Sequence, residues 1–362
     1  MKKNLIALAV AAAVAAPAAM ADTTLYGLAH VSYDFYQGTA ENYNHGLSSN
    51  SSRLGVKGSE KISDGLTAIY QFETTVAVDD GSSLWGSARN TFVGMTGGWG
   101  TALFGRHDTP MKLVGRKYDL FGDQVGDSRN LIGVKDGGAG FDLRPGNVAA
   151  YVSPKMSGFQ AIVAYVADHD LAPEDTKGNI NIGKDYNKNN AYSLSAGYEI
   201  AGFTVDGAYE QHRVNKDMLG TSSASESMWR LGAGYKFSGF NVVGLVQQSK
   251  DVGFTSGNKR TVWGLGGGYT FGANTVKVQY YAAQKLKTDK GDVADSDGGM
   301  VAVGYDYKLS KQTTVYAAYA HTMNKDGSTF VPWGGGHEDQ PALKKEAGKD
   351  GGVFSVGVKH AF

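Results

Sequence analysis

The chain has 362 residues, and its 35 Lys and Arg balance 35 Asp and Glu, so no basic surplus favours nucleic acid as a partner. It contains no cysteine, which excludes a disulfide framework. Beyond residue 21 no apolar run approaches the ~18 residues that a membrane helix needs, so any membrane insertion would use a closed β-barrel, in which every backbone polar group is paired.

The first 21 residues have the features of a secretory signal peptide. Lys2 and Lys3 precede an apolar run, and Ala19 and Ala21 form a small-x-small cleavage site. We therefore expect two regions, a cleaved signal peptide over 1–21 and a barrel domain over 22–362. Removing 21 residues that include two lysines leaves 341 residues with a net charge near −2.

The dominant period along the rest of the chain is two residues, which is typical of β-strands. At the C-terminus, Phe354, Val356, Val358, His360 and Phe362 share one face, and small or charged residues occupy the other. The same alternation occurs in TLYGLAHVSYDF, LTAIYQFETTVAV and TTVYAAYA. Alternation alone does not distinguish a soluble sandwich, with its polar face in water, from a barrel with a polar lumen.

The spacing of turns distinguishes these two folds. Short turns alternate with eight long polar stretches, and the seven turns fall at 62–65, 97–100, 154–158, 201–202, 238–239, 272–274 and 309–311. This alternation requires sixteen strands with both termini at the short-turn end, and it is typical of outer-membrane barrels. We therefore predict an all-β fold, a transmembrane 16-stranded antiparallel β-barrel with short periplasmic turns and long extracellular loops. A barrel of about 16 strands is wide enough to hold an aqueous channel.

Several segments resemble the general, non-specific porins of beta-proteobacteria. They are TLYG, SRLGVKGSEKISDGLTAIYQFE, RNTFVGMTGGWGTALFGRHDTP, YDLFGD, YVSPKMSGF, VGYDYKLSKQTTVYAAYA and the terminal VGVKHAF. The resemblance covers essentially all of the chain after the signal peptide. It implies a homotrimer in the Gram-negative outer membrane, with a third loop folded into each lumen and with passive diffusion of ions and small hydrophilic solutes.

The same resemblance implies which partners the protein has. These are outer-membrane lipid and lipopolysaccharide around the barrel, and the barrel-assembly machinery, which would read the terminal Phe362 as its signal. No cofactor and no nucleic acid are expected.

Four basic residues are candidates for the channel wall. Period two places Arg53 and Lys57 of SRLGVKGSE on one face, and this face must be the lumen in a barrel because charge facing lipid costs ~2–4 kcal/mol near the midplane. By resemblance, Arg53, Arg89 and Arg144 match the basic cluster of a porin constriction, which Lys57 would extend. The alternative is that all four are ordinary polar residues of a solvated face.

The third loop, from about 107 to 143, supplies the candidate acids. Asp119, Asp123 and Asp127 lie in YDLFGDQVGDSRN, and Asp123 in the FGD turn best fits the family pattern. Opposite a basic wall, these carboxylates would create a transverse field across the narrowest point. They are otherwise ordinary solvated loop charges, which for Asp127 is an equally good interpretation. The same loop also carries cationic residues, among them Lys112, Arg116, Lys117 and Arg129, which leave the ion preference open.

No motif favours an enzyme or a metal site. The eight histidines are dispersed without metal-ligand spacing, and GxSxG is absent. Two alternatives to a general diffusion channel remain at this point. One is a substrate-specific channel for a sugar or a carboxylate, and the other is a barrel serving mainly as a surface adhesin or phage receptor through its long fourth and eighth loops.

Overall fold

A computed structural model describes residues 22–37, 45–133, 140–167, 189–214, 223–337 and 346–362. They form a closed antiparallel barrel of sixteen strands, which confirms the predicted fold class. The predicted signal peptide over 1–21 lies outside the described residues. The strands are β1 Asp22–Gln37, β2 Arg53–Ser63, β3 Leu66–Thr75, β4 Thr91–Gly97, β5 Gly100–Arg106, β6 Val148–Val152, β7 Phe159–Ala167, β8 Asn190–Ile200, β9 Phe203–Val214, β10 Ala224–Phe237, β11 Phe240–Lys250, β12 Lys259–Phe271, β13 Asn274–Ala283, β14 Gly298–Lys308, β15 Thr313–Asn324 and β16 Gly352–Ala361.

The barrel closes through β1, which pairs with β2 on one side and with β16 on the other. Leu28 lies opposite Arg53 in the first pair and opposite Ala361 in the second. Beyond the last strand, Phe362 N donates to Gly27 O at 3.2 Å and Gly27 N donates to Phe362 O at 3.0 Å. The C-terminal residue therefore continues the hydrogen-bond ladder that joins the two ends of the sheet.

The two faces of the sheet differ as the alternation predicts. On β13 and β14, Val278 and Val303 point outward and are 48% and 46% exposed, whereas their neighbours Gln279 and Ala302 point inward and are each 1% exposed. Aromatic rings lie outward near the short-turn end, where the ring centroids of Phe240 and Tyr269 are 4.4 Å apart. Such a band is typical of the level at which a barrel meets the lipid headgroups.

Each of the seven predicted turn regions falls at a junction between consecutive strands. In the turn between β10 and β11, Ser238 and Gly239 both have positive φ, at 44° and 86°. Two successive left-handed residues form the type I′ turn, whose twist matches an antiparallel hairpin. Three short segments, His45–Ser49, Lys287–Thr288 and Gly291–Asp292, extend the sheet at the opposite, long-loop end.

Among the described residues, helical structure is confined to the third loop, apart from one 3-10 turn at Val252–Phe254. Helix α1 covers Pro110–Lys117 and helix α2 covers Arg129–Ile132. Within the described ranges, no helix is long and apolar enough to cross a membrane.

Candidate channel constriction

The third loop leaves β5 and folds inside the barrel, as the resemblance implied. Helix α1 begins cleanly because Thr109 Oγ1 accepts a hydrogen bond from Lys112 N at 3.3 Å and Pro110 occupies the first turn. Met111 N then donates to Ser193 Oγ of β8 at 3.2 Å, and Leu120 N donates to Gln279 Oε1 of β13 at 3.0 Å. The loop is thus attached to the inner wall on the side of β8 to β13.

On that side of the wall, inward-facing glycines leave space for the aromatic rings of the YDLF segment. A Cβ added at Gly232 of β10 would overlap the ring of Tyr118, and one added at Gly304 of β14 would lie 2.8 Å from the ring of Phe121. Both rings are almost completely buried, at 1% and 0% exposure. Inward-facing glycines therefore let the loop approach the strands closely enough to exclude water between them.

The predicted basic residues Arg53, Arg89 and Arg144 lie along the opposite wall, and two carboxylates neutralise much of their charge. Arg89 Nε lies 2.6 Å from Glu73 Oε1, and Arg53 Nε lies 3.8 Å from Glu73 Oε2. Arg144 Nε lies 3.0 Å from Asp108 Oδ1. Sequence reasoning missed both acids, although alternation in AIYQFETT places Glu73 on the same face as Gln71.

The carboxylate of Asp108 stays ionised and so remains paired with the cations of this wall. Its carboxylate also lies 3.0 Å from Lys112 Nζ at the start of α1. Burial disfavours ionisation, but Lys112 and Arg144 outweigh it and lower the pKa of Asp108 to about 2. The carboxylate therefore keeps its charge at any physiological pH.

The predicted acids of the third loop lie together, and they bind cations of the same loop. Asp123 adopts a left-handed conformation with φ 61° between two guanidinium groups. Arg116 Nη2 lies 3.0 Å from its Oδ2, and Arg129 Nη2 lies 2.8 Å from its Oδ1. Burial opposes ionisation, but these two arginines hold the pKa of Asp123 far below its ordinary value. The acid and its two bases form one compact charged cluster.

Asp127 and Asp119 lie deeper in the loop and shape its backbone. Asp127 Oδ1 accepts from Arg129 Nε at 2.9 Å, and its Oδ2 accepts from Asp123 N at 2.8 Å. Asp119 accepts from Phe121 N at 2.9 Å and from Ser128 N at 3.1 Å. Burial and the nearby Asp127 raise the pKa of Asp119 to about 7. Asp123 and Asp127 are 6% and 0% exposed, so both carboxylates bind groups of the loop itself rather than facing the lumen.

Two lysines on the open wall, which is the inner wall opposite the attached third loop, have no carboxylate partner among the described residues. Lys57 of β2 lies with Nζ 5.1 Å from the ring centroid of Tyr26, and Lys359 of β16 lies 5.4 Å from that of Tyr316. Both positions face the lumen, because Lys57 pairs with Thr24 and Lys359 with His30 in the inward register of β1. Lys57 was among the predicted wall residues, whereas Lys359 was not.

The eighth loop also enters the barrel, which the sequence analysis did not anticipate. Gly126 N of the third loop donates to Pro332 O at 2.7 Å, and His337 Nε2 lies 3.0 Å from Asp34 Oδ2 on β1. Trp333 is fully buried, with its ring centroid 5.2 Å from that of Tyr36. The apolar FVPW segment within an otherwise polar loop was the available signal.

No group of three or more His, Asp or Glu side chains is arranged to hold a metal ion in the parts of the chain that the structure describes. Inside the barrel, charged side chains lie on the wall, where Arg89 pairs with Glu73, and on the third loop, where Asp123 pairs with Arg116 and Arg129.

Comparison with known proteins agrees with this geometry. A family model described as Gram-negative porin matches residues 7–327. The chain belongs to the Gram-negative porin family. Among curated porins, outer membrane porin protein 32 of Delftia acidovorans is 30% identical over 380 residues, covering 100% of both chains. The major outer membrane protein P.IB of Neisseria meningitidis is 29% identical over 357 residues, covering 93% of this chain and 98% of that one.

A solved structure, the anion-selective porin from Comamonas acidovorans, superposes with a TM-score of 0.76 at 25% identity and covers 94% of this chain and 100% of its own. The porin described here accordingly resides in the outer membrane and forms a channel for passive diffusion of ions and small hydrophilic solutes.

Proposed function

We propose that this porin passes solutes without chemical conversion and with a modest preference for anions. The observation that carries the preference is the pair Lys57 and Lys359, whose ammonium groups face the lumen without a carboxylate partner in the described part of the chain. Uncompensated charge in a narrow, low-dielectric passage raises the local concentration of the opposite ion.

The charges of the other side chains around the constriction also favour a preference for anions. Cationic and acidic side chains there are nearly equal in number, so the two lysines tip the balance. The cations are Arg53, Arg89, Lys112, Arg116, Arg129 and Arg144, and the acids are Glu73, Asp108, Asp119, Asp123 and Asp127. The Comamonas porin that this chain resembles is itself named anion-selective.

The direct test is the reversal potential across a KCl gradient for Lys57→Gln with Lys359→Gln. We expect the chloride preference of the wild type to fall roughly twofold or more, with conductance nearly unchanged. Lys61→Gln with Lys311→Gln, which removes the same charge at the short-turn end, is the matched control. Equal reversal potentials in the two double variants would contradict the proposal.

A homotrimer is part of this proposal. On the outward face of β1 the ring of Phe362 covers Gly27, and the small residue Ala29 beyond it allows close packing against a neighbouring subunit. In the second loop, Leu84 and Trp85 are 67% and 77% exposed, an apolar pair that a partner would cover. Native mass spectrometry should show loss of trimer in Leu84→Ser with Trp85→Ser, but not in Val293→Ser on the seventh loop.

Two further expectations concern export and assembly. Protein isolated from the outer membrane should begin at Asp22 if residues 1–21 are a cleaved signal peptide. Phe362, which is 52% exposed beside Gly27, is the proposed assembly signal. Phe362→Ala should reduce the amount of folded barrel in the membrane, whereas refolding in detergent should proceed at nearly the wild-type rate.

A further inference from the structure

A cavity of about 570 Å³ lies inside the barrel between the third and eighth loops. Residues of helix α2 line it on the side of the third loop, and residues of the FVPW segment at 330–333 line it on the side of the eighth loop. Arg260 at the start of β12 and Ser296 of the seventh loop also border it, which places it at the long-loop end. The cavity therefore belongs to the entrance of the channel on that side.

The FVPW segment makes one side of the cavity apolar. The buried ring of Phe330 covers the backbone of Gly298, where an added Cβ would lie 2.7 Å from ring atom Cδ2. The ring of Trp333 is held between the ring of Tyr36 and Gly351, where an added Cβ would lie 3.2 Å from the far edge of the indole. Rings fixed in this way offer a rigid surface on which a flat apolar group can pack.

Two side-chain N–H donors at the cavity have no hydrogen-bond partner among the described residues. They are Nε1 of Trp333 and Nδ2 of Asn130, and both atoms are buried. Because the six-membered ring of Trp333 points toward Gly351, its Nε1 edge lies on the other side of the indole. A buried N–H group without an acceptor is unfavourable, so the cavity favours a ligand that carries hydrogen-bond acceptors.

Among the described Lys, Arg, Asp and Glu residues that line the cavity, three are cationic and one is acidic. The cations are Lys112, Arg129 and Arg260, and the acid is Asp142. Asp142 accepts hydrogen bonds from two nitrogens of Arg230, each at 3.0 Å. The lining carboxylate is therefore already neutralised by a guanidinium group.

Two of the lining cations have carboxylate partners, but those partners do not line the cavity. Lys112 Nζ lies 3.0 Å from Asp108 Oδ1, and Arg129 Nε lies 2.9 Å from Asp127 Oδ1. A ligand in the cavity is thus nearer to the cations than to these acids. This arrangement favours an anionic acceptor over a neutral one.

From these contacts we infer that the cavity binds a small aromatic carboxylate. The ring of the ligand lies against Phe330 and Val331, and its carboxylate accepts from Trp333 Nε1 and Asn130 Nδ2 beside Arg129. A neutral aromatic compound lacks the charge, and an aliphatic carboxylate leaves the apolar side uncovered. The inference rests on the passage of anions proposed above, and it adds a class of solute that the channel concentrates at its entrance.

Saturation-transfer NMR of the purified porin in detergent micelles, titrated with benzoate against a blank of empty micelles, provides the test. We expect saturable binding to the wild type and roughly tenfold weaker binding to Trp333→Phe, which keeps an aromatic ring and removes the N–H donor. Trp229→Phe, on the outward face of β10, is the matched control and should bind benzoate as the wild type does.

Two ligands and a second pair of variants separate the features of the site. Acetate lacks the ring and benzyl alcohol lacks the charge, so each should bind at least roughly tenfold more weakly than benzoate. Thr329→Trp fills the cavity without changing charge and should abolish binding, whereas Thr329→Ser should not. Far-ultraviolet circular dichroism checks that each variant forms a folded barrel.

The inference is overturned if Trp333→Phe and Trp229→Phe bind benzoate equally, or if Thr329→Trp binds it as the wild type does. Equal binding of benzyl alcohol would reveal a merely apolar cavity, and equal binding of acetate a simple anion site, and either result also overturns it. A wild type that prefers chloride but binds no benzoate would reject this inference alone. A wild type that binds benzoate without preferring chloride would reject the anion preference alone.

Discussion

On β1 to β3 the inner wall presents charged side chains to the side of the lumen that the third loop leaves open, whereas on β10 to β14 it also includes glycines against which the loop itself packs. Arg53 and Lys57 represent the first kind of wall, and Gly232 and Gly304 represent the second. Both follow the same two-residue alternation. The difference shows that an inward position acquires its role from what stands opposite, either solute or loop.

The largest expected effect is on the stability of the third loop, and it comes from removing an arginine that binds the loop's buried carboxylates. Arg129→Ala leaves Asp123 and Asp127 buried with a single remaining arginine, and breaking such a buried pair costs about 3–5 kcal/mol. Hydrogen exchange should therefore rise strongly across residues 116–132, and single-channel current should become noisier. Arg213→Ala, at an exposed position on β9, is the control. Equal exchange in both variants would mean that the cluster does not hold the loop.

The second largest effect is expected on ion selectivity, when arginines of the open wall are replaced. Arg89→Ala with Arg144→Ala removes two cations and leaves Glu73 and Asp108 incompletely neutralised, so the reversal potential should shift toward cations by a permeability ratio of roughly threefold. Arg89→Lys with Arg144→Lys preserves the charge and should stay close to the wild type. An unchanged reversal potential in the alanine variant would remove these arginines from the channel wall.

The smallest effect is a dependence on pH through Asp119. Because burial raises its pKa to about 7, one carboxylate per subunit gains a proton as the pH falls from 8 to 6. Asp108, with a pKa of about 2, stays ionised over that range. The chloride preference should therefore rise slightly on acidification, and Asp119→Asn should remove this dependence. Since folding raises the pKa, the free energy of unfolding should fall as the pH increases toward 7.

The features that repeat along the chain were predictable from sequence. Alternation and turn spacing gave the strand number, and they placed Arg53 and Lys57 on the inner face. Contacts between distant segments were not predictable. The pairing of Arg144 with Asp108 and the contact of His337 with Asp34 join residues far apart in the chain, and they depend on loop conformations that follow no period. Long loops lack the register that fixes the direction of each side chain in a strand. Their contacts inside the barrel could therefore not be predicted from the sequence and are seen only in the structure.

The central claim, that a charged constriction passes solutes by diffusion, is tested most directly by single-channel recording of the wild-type porin in a planar bilayer across a KCl gradient. The prediction is stepwise conductance, in groups of three, that rises with salt without saturating, and a reversal potential on the chloride side of zero. Current that saturates with salt, a cation-selective reversal potential, or silence from correctly folded protein would contradict it.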